Sequence, residues 1–93
     1  MYAVCATFKI NPGQMDQFLP QMVENARTSR TFEPGCQQFD ICRAGDMIFL
    51  YEIYDDHAAF EAHLASPHFH RFEVEAADMI AEKQVQFFDE VIR

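Results

Sequence analysis

Apolar residues recur along this chain with two different periods, and the switches between those periods mark out its elements. Over Tyr2–Ile10, Val4, Ala6, Phe8 and Ile10 fall on one side and Ala3, Cys5, Thr7 and Lys9 on the other. A period of two marks a strand, and the weak contrast in polarity predicts that both faces are largely covered. Asn11-Pro12-Gly13 is a turn signal. Met15, Phe18, Leu19, Met22, Val23 and Ala26 then follow at helical spacing, which predicts an amphipathic helix over a core. Pro20 falls inside that stretch and predicts a kink or a late helix start. Glu33-Pro34-Gly35 makes the next turn, with Gly35 expected to use its freedom to take positive φ.

Cys36–Ala44 and Met47–Tyr54 read as two strands joined tightly through Ala44-Gly45-Asp46, a β-hairpin. Asp55 or Asp56 is placed to cap a short helix that ends near Ser66. Ser66-Pro67 restarts a helix, with serine as N-cap and proline in the first turn, where its missing N–H costs nothing. Phe69, Phe72, Ala76, Met79 and Ile80 share one face of that helix, and residues 83–91 read as the last strand through Val85, Phe87 and Phe88. The order β-α-β-β-α-β, with the second helix broken in two, is the ferredoxin-like α+β plan: a four-stranded antiparallel sheet with helices on one face. A single domain over residues 1–93 is expected. The other sheet face, with Phe49, Tyr51 and Ile53 as candidates, would meet water at a cost of about 25 cal/mol per Å². Pairing two sheets about a two-fold axis removes that cost, so a homodimer closing toward an α/β barrel is expected.

Size and composition strengthen the expectation of a partner subunit. Ninety-three residues bury only about two-thirds of their unfolded surface. The chain is nonetheless 49% hydrophobic, with ten Phe and no Trp, so apolar surface is left for an interface or a ligand. The formal charge of −8 repels phosphate backbones and no basic run offsets it, which excludes nucleic acid as the expected partner. No apolar run approaches membrane-spanning length, so no membrane partner is expected. Cys5, Cys36 and Cys42 form no CxxC and no disulfide framework, and the N-terminal residues run straight into a strand pattern. A cytoplasmic location is the expectation, with the cysteines as small apolar packers.

Four stretches, in order, carry a resemblance to a known family. They are Asn11-Pro12-Gly13, Glu33-Pro34-Gly35-Cys36 leading to Phe39-Asp40, Glu52-Ile53-Tyr54-Asp55, and Ala62-His63-Leu64-Ala65-Ser66-Pro67-His68-Phe69. From the first strand to about Phe72 the chain resembles the antibiotic biosynthesis monooxygenases, small dimeric domains that typically oxidise aromatic substrates without a cofactor. The resemblance implies a dimeric α/β barrel with a pocket between helices and sheet in each subunit. Well-known members use a tryptophan on strand three and a nearby asparagine; here Tyr54 and Leu50 stand in those places. Haem-degrading relatives require a tryptophan, and this chain has none.

The resemblance also turns the face that carries Ile48, Leu50, Glu52 and Tyr54 toward the helices. A carboxylate there is partly desolvated, which raises its pKa and makes Glu52 a candidate proton acceptor, or else a structurally paired acid. His63, three residues after Phe60 on a helix, can share a pocket with it and deprotonate a phenol near neutral pH; the alternative is a structural histidine tied to Glu52 or a loop carbonyl. His68, in the first turn of the last helix, sits near free backbone N–H groups that suit an anionic oxygen, or else fixes the helix junction. Tyr54, Leu50, Phe60, Phe69 and Phe72 are the candidate walls for a planar ring. A metal at His63, His68 and His70 with Cys36 or Cys42 is not expected, because Pro67 breaks the helix and no HxxxH or CxxC pair exists. His57 and His70 read as solvated, and Arg43 as part of a surface ion pair. The expected activity is that of a cofactor-independent monooxygenase, taking a small quinol or polyphenol and molecular oxygen to a quinone. The same groups would serve an isomerase acting on a small carbonyl compound, and a non-catalytic dimeric metabolite-binding domain is the remaining alternative.

Overall fold

A computed structural model describes residues 1–93. The elements run β1 (Tyr2–Ile10), α1 (Met15–Phe32), β2 (Cys36–Ala44), β3 (Met47–Tyr54), α2 (His57–Leu64), α3 (Pro67–Ala76) and β4 (Ile80–Phe88), with a single 3₁₀ turn over Ala77–Met79 before β4. The four strands form one antiparallel sheet in the order β2-β3-β1-β4. This is the ferredoxin-like arrangement, with the two longest-paired strands, β1 and β3, at its centre. Gly45 and Asp46 alone link β2 to β3, since Ala44 pairs with Met47. Gly45 takes φ +61° there, and Gly13 takes +80° in the turn before α1, conformations that a side chain opposes.

The core lies between the sheet and the helices. Val4, Ala6, Phe8 and Ile10 of β1 and Ile48, Leu50 and Tyr54 of β3 meet Met15, Phe18, Met22 and Ala26 of α1, as the two periods require. No helix is long and apolar enough to cross a membrane.

Several details differ from expectation. α1 starts at Met15 and runs through Pro20 without a late start. Pro20 and Asp16, whose carbonyl loses its partner, are both on the exposed side, where that carbonyl is open to solvent. Gly35 does not have positive φ. What it provides is space, because a Cβ there would lie 2.5 Å from the Cβ of Ala59 on α2. β4 begins at Ile80, before Lys83, and ends at Phe88, because pairing with β1 runs from Ile10↔Ile80 to Ala3↔Phe88. Met79 and Ile80 therefore reach the core from beyond α3 rather than from its face. On the far side of the sheet, Phe49 is exposed as the pattern predicts and Phe88 of β4 is exposed as well, but Ile53 is buried, as is Ala3, its partner on β1. Cys36 is buried, Cys42 is exposed, and no cysteine is paired. Arg43 donates to the carbonyl of Gly45 at 3.2 Å rather than to a carboxylate.

Candidate functional site

Two helix starts position the site. Asp56 caps α2, its Oδ1 accepting the Ala59 N–H at 2.8 Å, and Ser66 caps α3, its Oγ accepting the Phe69 N–H at 3.3 Å. The Ser66 hydroxyl also donates to the His63 carbonyl at 2.6 Å, so the end of α2 and the start of α3 are locked together. His63 and His68 flank this junction, with ring centroids 5.8 Å apart.

Both rings meet a residue that sequence reasoning had treated only as part of a turn. Glu33, the C-cap of α1, receives His63 Nδ1 at 2.8 Å and His68 Nε2 on the same oxygen, Oε2. Ser29, one turn earlier on α1, lies 3.3 Å from His63 Nδ1 and 3.1 Å from His68 Nε2. The Ser29 hydroxyl already donates to the Asn25 carbonyl at 2.8 Å, and Ser66 has spent its proton on His63. Burial works to raise the Glu33 carboxyl, but the hydrogen bonds and charges of His63 and then His68 outweigh it and hold Glu33 below the usual range. With an ionised acceptor and both hydroxyl protons committed, the ring protons are assigned to His63 Nδ1 and His68 Nε2. In the neutral imidazole this leaves His63 Nε2 as the unprotonated nitrogen, and it makes no hydrogen bond within the protein.

His63 lines a cavity of about 490 Å³ between the sheet and α1, α2 and α3. Leu50, Glu52, Phe60, Phe69 and Phe72 line it too, so six of the eight residues singled out from sequence converge there. The walls are largely apolar, and the size is that of a small-molecule pocket. The His63 ring is held between aromatic neighbours, with the Phe69 centroid at 5.0 Å and that of Phe39 at 6.0 Å. Tyr54 is not a wall of this cavity. It is fully buried and donates its hydroxyl to Glu52 Oε1 at 2.5 Å. His68 is also outside the cavity, on a polar cleft of about 220 Å³ that it shares with Arg71, Thr28 and Gln21. His70 is exposed and takes no part.

Glu52 is buried among apolar groups, and burial pushes its carboxyl above the ordinary range; the Tyr54 hydrogen bond and His63 oppose this only in part. Burial and the neighbouring Glu52 likewise raise the Tyr54 phenol, which stays protonated as a donor. The Cys36 thiol is pushed up to about 12, by burial first and then by the charges of Glu33 and Glu52, and is unreactive at neutral pH. At the mouth of the cavity stand Glu73, Glu82 and Lys83, with the Lys83 ammonium 5.6 Å from the Phe8 ring. The arrangement therefore presents an imidazole nitrogen without a protein partner, and a carboxyl that burial holds toward its protonated form, to one apolar space.

Glu33, Ser29 and Asn25 escaped the sequence reading, though a signal existed for two of them. Asn25 and Ser29 continue the stripe begun by Met22 and Ala26 at helical spacing, and both are buried. Polar residues on the apolar face of a helix mark a site or a buried network. Asn25 Oδ1 and Glu33 Oε1 are buried without a hydrogen-bond partner.

Comparison with known proteins agrees with this architecture. A protein of Nitrosomonas europaea that bears the provisional name of an antibiotic biosynthesis monooxygenase superposes with a TM-score of 0.92 at 23% identity, over 99% of this chain and 100% of that one. Rv0793 of Mycobacterium tuberculosis gives 0.91 at 21% identity, over 99% and 96%. A structure described as an antibiotic biosynthesis monooxygenase gives 0.87 at 28% identity, over 99% and 100%. The Synechocystis protein sll1783 is 28% identical over 82 residues, which cover 85% of this chain. The chain spans about half the length of that curated relative, 55% of it. The profile of the family described as "Antibiotic biosynthesis monooxygenase" matches residues 1–74, and this chain belongs to that family.

Proposed function

We propose that this chain is a cofactor-independent monooxygenase that converts a small electron-rich aromatic, a quinol or polyphenol, to a quinone with molecular oxygen. The observation that carries the reading is the pairing, across one apolar cavity, of the unprotonated His63 Nε2 with a Glu52 carboxyl that burial holds toward its protonated form. His63 takes the phenolic proton, and Glu33 at 2.8 Å orients the ring and stabilises the imidazolium. The phenolate gives one electron to oxygen, and the radical pair recombines as a carbon–oxygen bond at the ring. His63 returns the phenolic proton to the distal oxygen of the peroxide. Loss of the ring proton to the freed His63, with cleavage of the O–O bond, then leaves the quinone carbonyl and hydroxide. Glu52 protonates the departing hydroxide and is recharged from His63, so the sum is phenol plus O₂ to quinone plus water. Phe60, Phe69 and Phe72 hold the ring and keep water from the radical pair. Tyr54 serves as a positioning residue through Glu52. The reading includes a homodimer, with exposed Phe49 and Phe88 at its sheet-to-sheet contact.

Running the reaction under ¹⁸O₂ tests this. Incorporation of one labelled atom per quinone is expected, and unlabelled product would refute it. The same donor–acceptor pair suits isomerisation of a small carbonyl compound, which would proceed equally well without oxygen.

A further inference from the structure

We propose that Glu33, His63, His68 and Ser29 form a binding site for a divalent transition metal of the zinc class, at the junction of α1, α2 and α3. His63 Nδ1, His68 Nε2 and a Glu33 carboxylate oxygen all lie within 4.8 Å of one another. The separations around this group are 2.8 Å from His63 Nδ1 to Glu33 Oε2, 3.3 Å from His63 Nδ1 to Ser29 Oγ and 3.1 Å from His68 Nε2 to Ser29 Oγ. Donors on a tetrahedron about 2.0–2.1 Å from a zinc ion stand about 3.3 Å apart, so small outward movements of these four would seat one. Two imidazoles and a carboxylate are borderline ligands that suit zinc, cobalt or nickel better than calcium or magnesium.

The hydrogen bonding of the cluster is lopsided. Both imidazole nitrogens converge on Glu33 Oε2, while Glu33 Oε1 is buried and has no partner. A buried carboxylate with one bare oxygen is costly, and a cation beside it offsets that cost. The Glu33 and His68 side chains are 12% and 14% exposed, and the polar cleft beside His68 gives a route in from solvent. No short motif contains these four groups, because Ser29 is on α1 and Glu33 caps its end, while His63 and His68 flank the α2–α3 break.

Such a metal would not touch the substrate, because it sits behind His63 rather than in the cavity. Ligation through Nδ1 moves the ring proton of neutral His63 to Nε2, the nitrogen that faces the cavity. On the function proposed above, loading therefore removes the proton acceptor and inhibits turnover. That consequence rests on the proposed function, whereas binding itself does not.

Zinc and cobalt(II) titrations of the full chain test the site, by calorimetry and by visible absorption. The expected result is one metal per chain, an intense tetrahedral cobalt spectrum, and ¹⁵N shifts of the wild-type rings that report ligation at His63 Nδ1 and His68 Nε2. Glu33→Gln and His68→Gln are each expected to weaken binding by about 100-fold or more, since losing a residue that merely supports a ligand costs about 10- to 100-fold. The ring shifts need no substitution and decide the matter even if a variant fails to fold. An octahedral cobalt spectrum, unshifted rings, or binding indifferent to both variants would overturn the proposal. Zinc that binds here yet leaves turnover intact would uphold the site and refute His63 as the acceptor.

Discussion

Replacing Gly35 by alanine should damage both stability and the site, although the residue lies outside the cavity. Its φ is not positive, so the backbone itself accepts a side chain, and the loss of unfolded-state entropy would even favour alanine by about 0.4–1 kcal/mol. The new Cβ, however, would lie 2.5 Å from Ala59 Cβ and 3.6 Å from Ala59 Cα. Carbon atoms settle at about 3.5–4.0 Å, so the turn and α2 must separate by about 1 Å, and neither contact is the end of a flexible side chain. Overpacking of this kind costs about 1–3 kcal/mol. At about 4–8 °C per kcal/mol for a domain of this size, Tm should fall by about 4–24 °C. The displaced helix carries Phe60 and His63, and a misplacement of about 1 Å can cost about 100-fold in rate. Thermal unfolding by circular dichroism, with activity on the same samples, reads both effects. Adding Ala59→Gly should restore much of the loss by removing the contact. A Gly35→Ala protein melting within about 2 °C of wild type, with unchanged turnover, would refute the role given to this contact.

Glu52→Gln should lose turnover yet gain stability at neutral pH. Burial raises the folded pKa of Glu52, so the stability linked to its proton is complete below the unfolded value of about 4.3 and is lost as pH rises through the folded value. Glutamine keeps an acceptor for Tyr54 and carries no charge, so Tm against pH from 4 to 9 should fall more for wild type than for the variant; parallel curves would count against a raised Glu52. Tyr54→Phe leaves Glu52 Oε1 without its donor and should cost about 1–3 kcal/mol, measured by urea unfolding. Phe49→Glu places a charge on the uncovered sheet face, and light scattering should show the wild-type dimer giving way to monomer; a wild-type monomer would refute the proposed assembly.

Much of the fold was legible because its signals are local. The alternation of Val4, Ala6, Phe8 and Ile10, the α1 stripe, the Gly45-Asp46 hairpin and the Ser66-Pro67 cap each follow from spacing or backbone chemistry within a few residues. The departures come from contacts between distant elements. Gly35 is required by Ala59 rather than by its own φ, and the start of β4 is set by pairing with Ile10 across the sheet. The site divides in the same way. Periodicity placed Leu50 and Glu52 on one face and Phe60 with His63 on another, and the cavity joins them. Glu33, thirty residues before His63, is brought to it only by the packing of α1 beside the α2–α3 junction, which no short motif records. Tyr54 shares the alternation of Leu50 and Glu52 and so looked like a cavity wall, but the helices cover that end of β3 and leave it as support for Glu52.

Oxygen uptake by the purified, metal-stripped protein against a panel of quinols and polyphenols tests the central claim most directly, with wild type and His63→Ala measured side by side. The account predicts uptake above autoxidation by wild type, matched by quinone formation, and its loss in a His63→Ala protein that remains folded by circular dichroism. Uptake no faster than autoxidation for every substrate, or equal uptake by the two proteins, would contradict it.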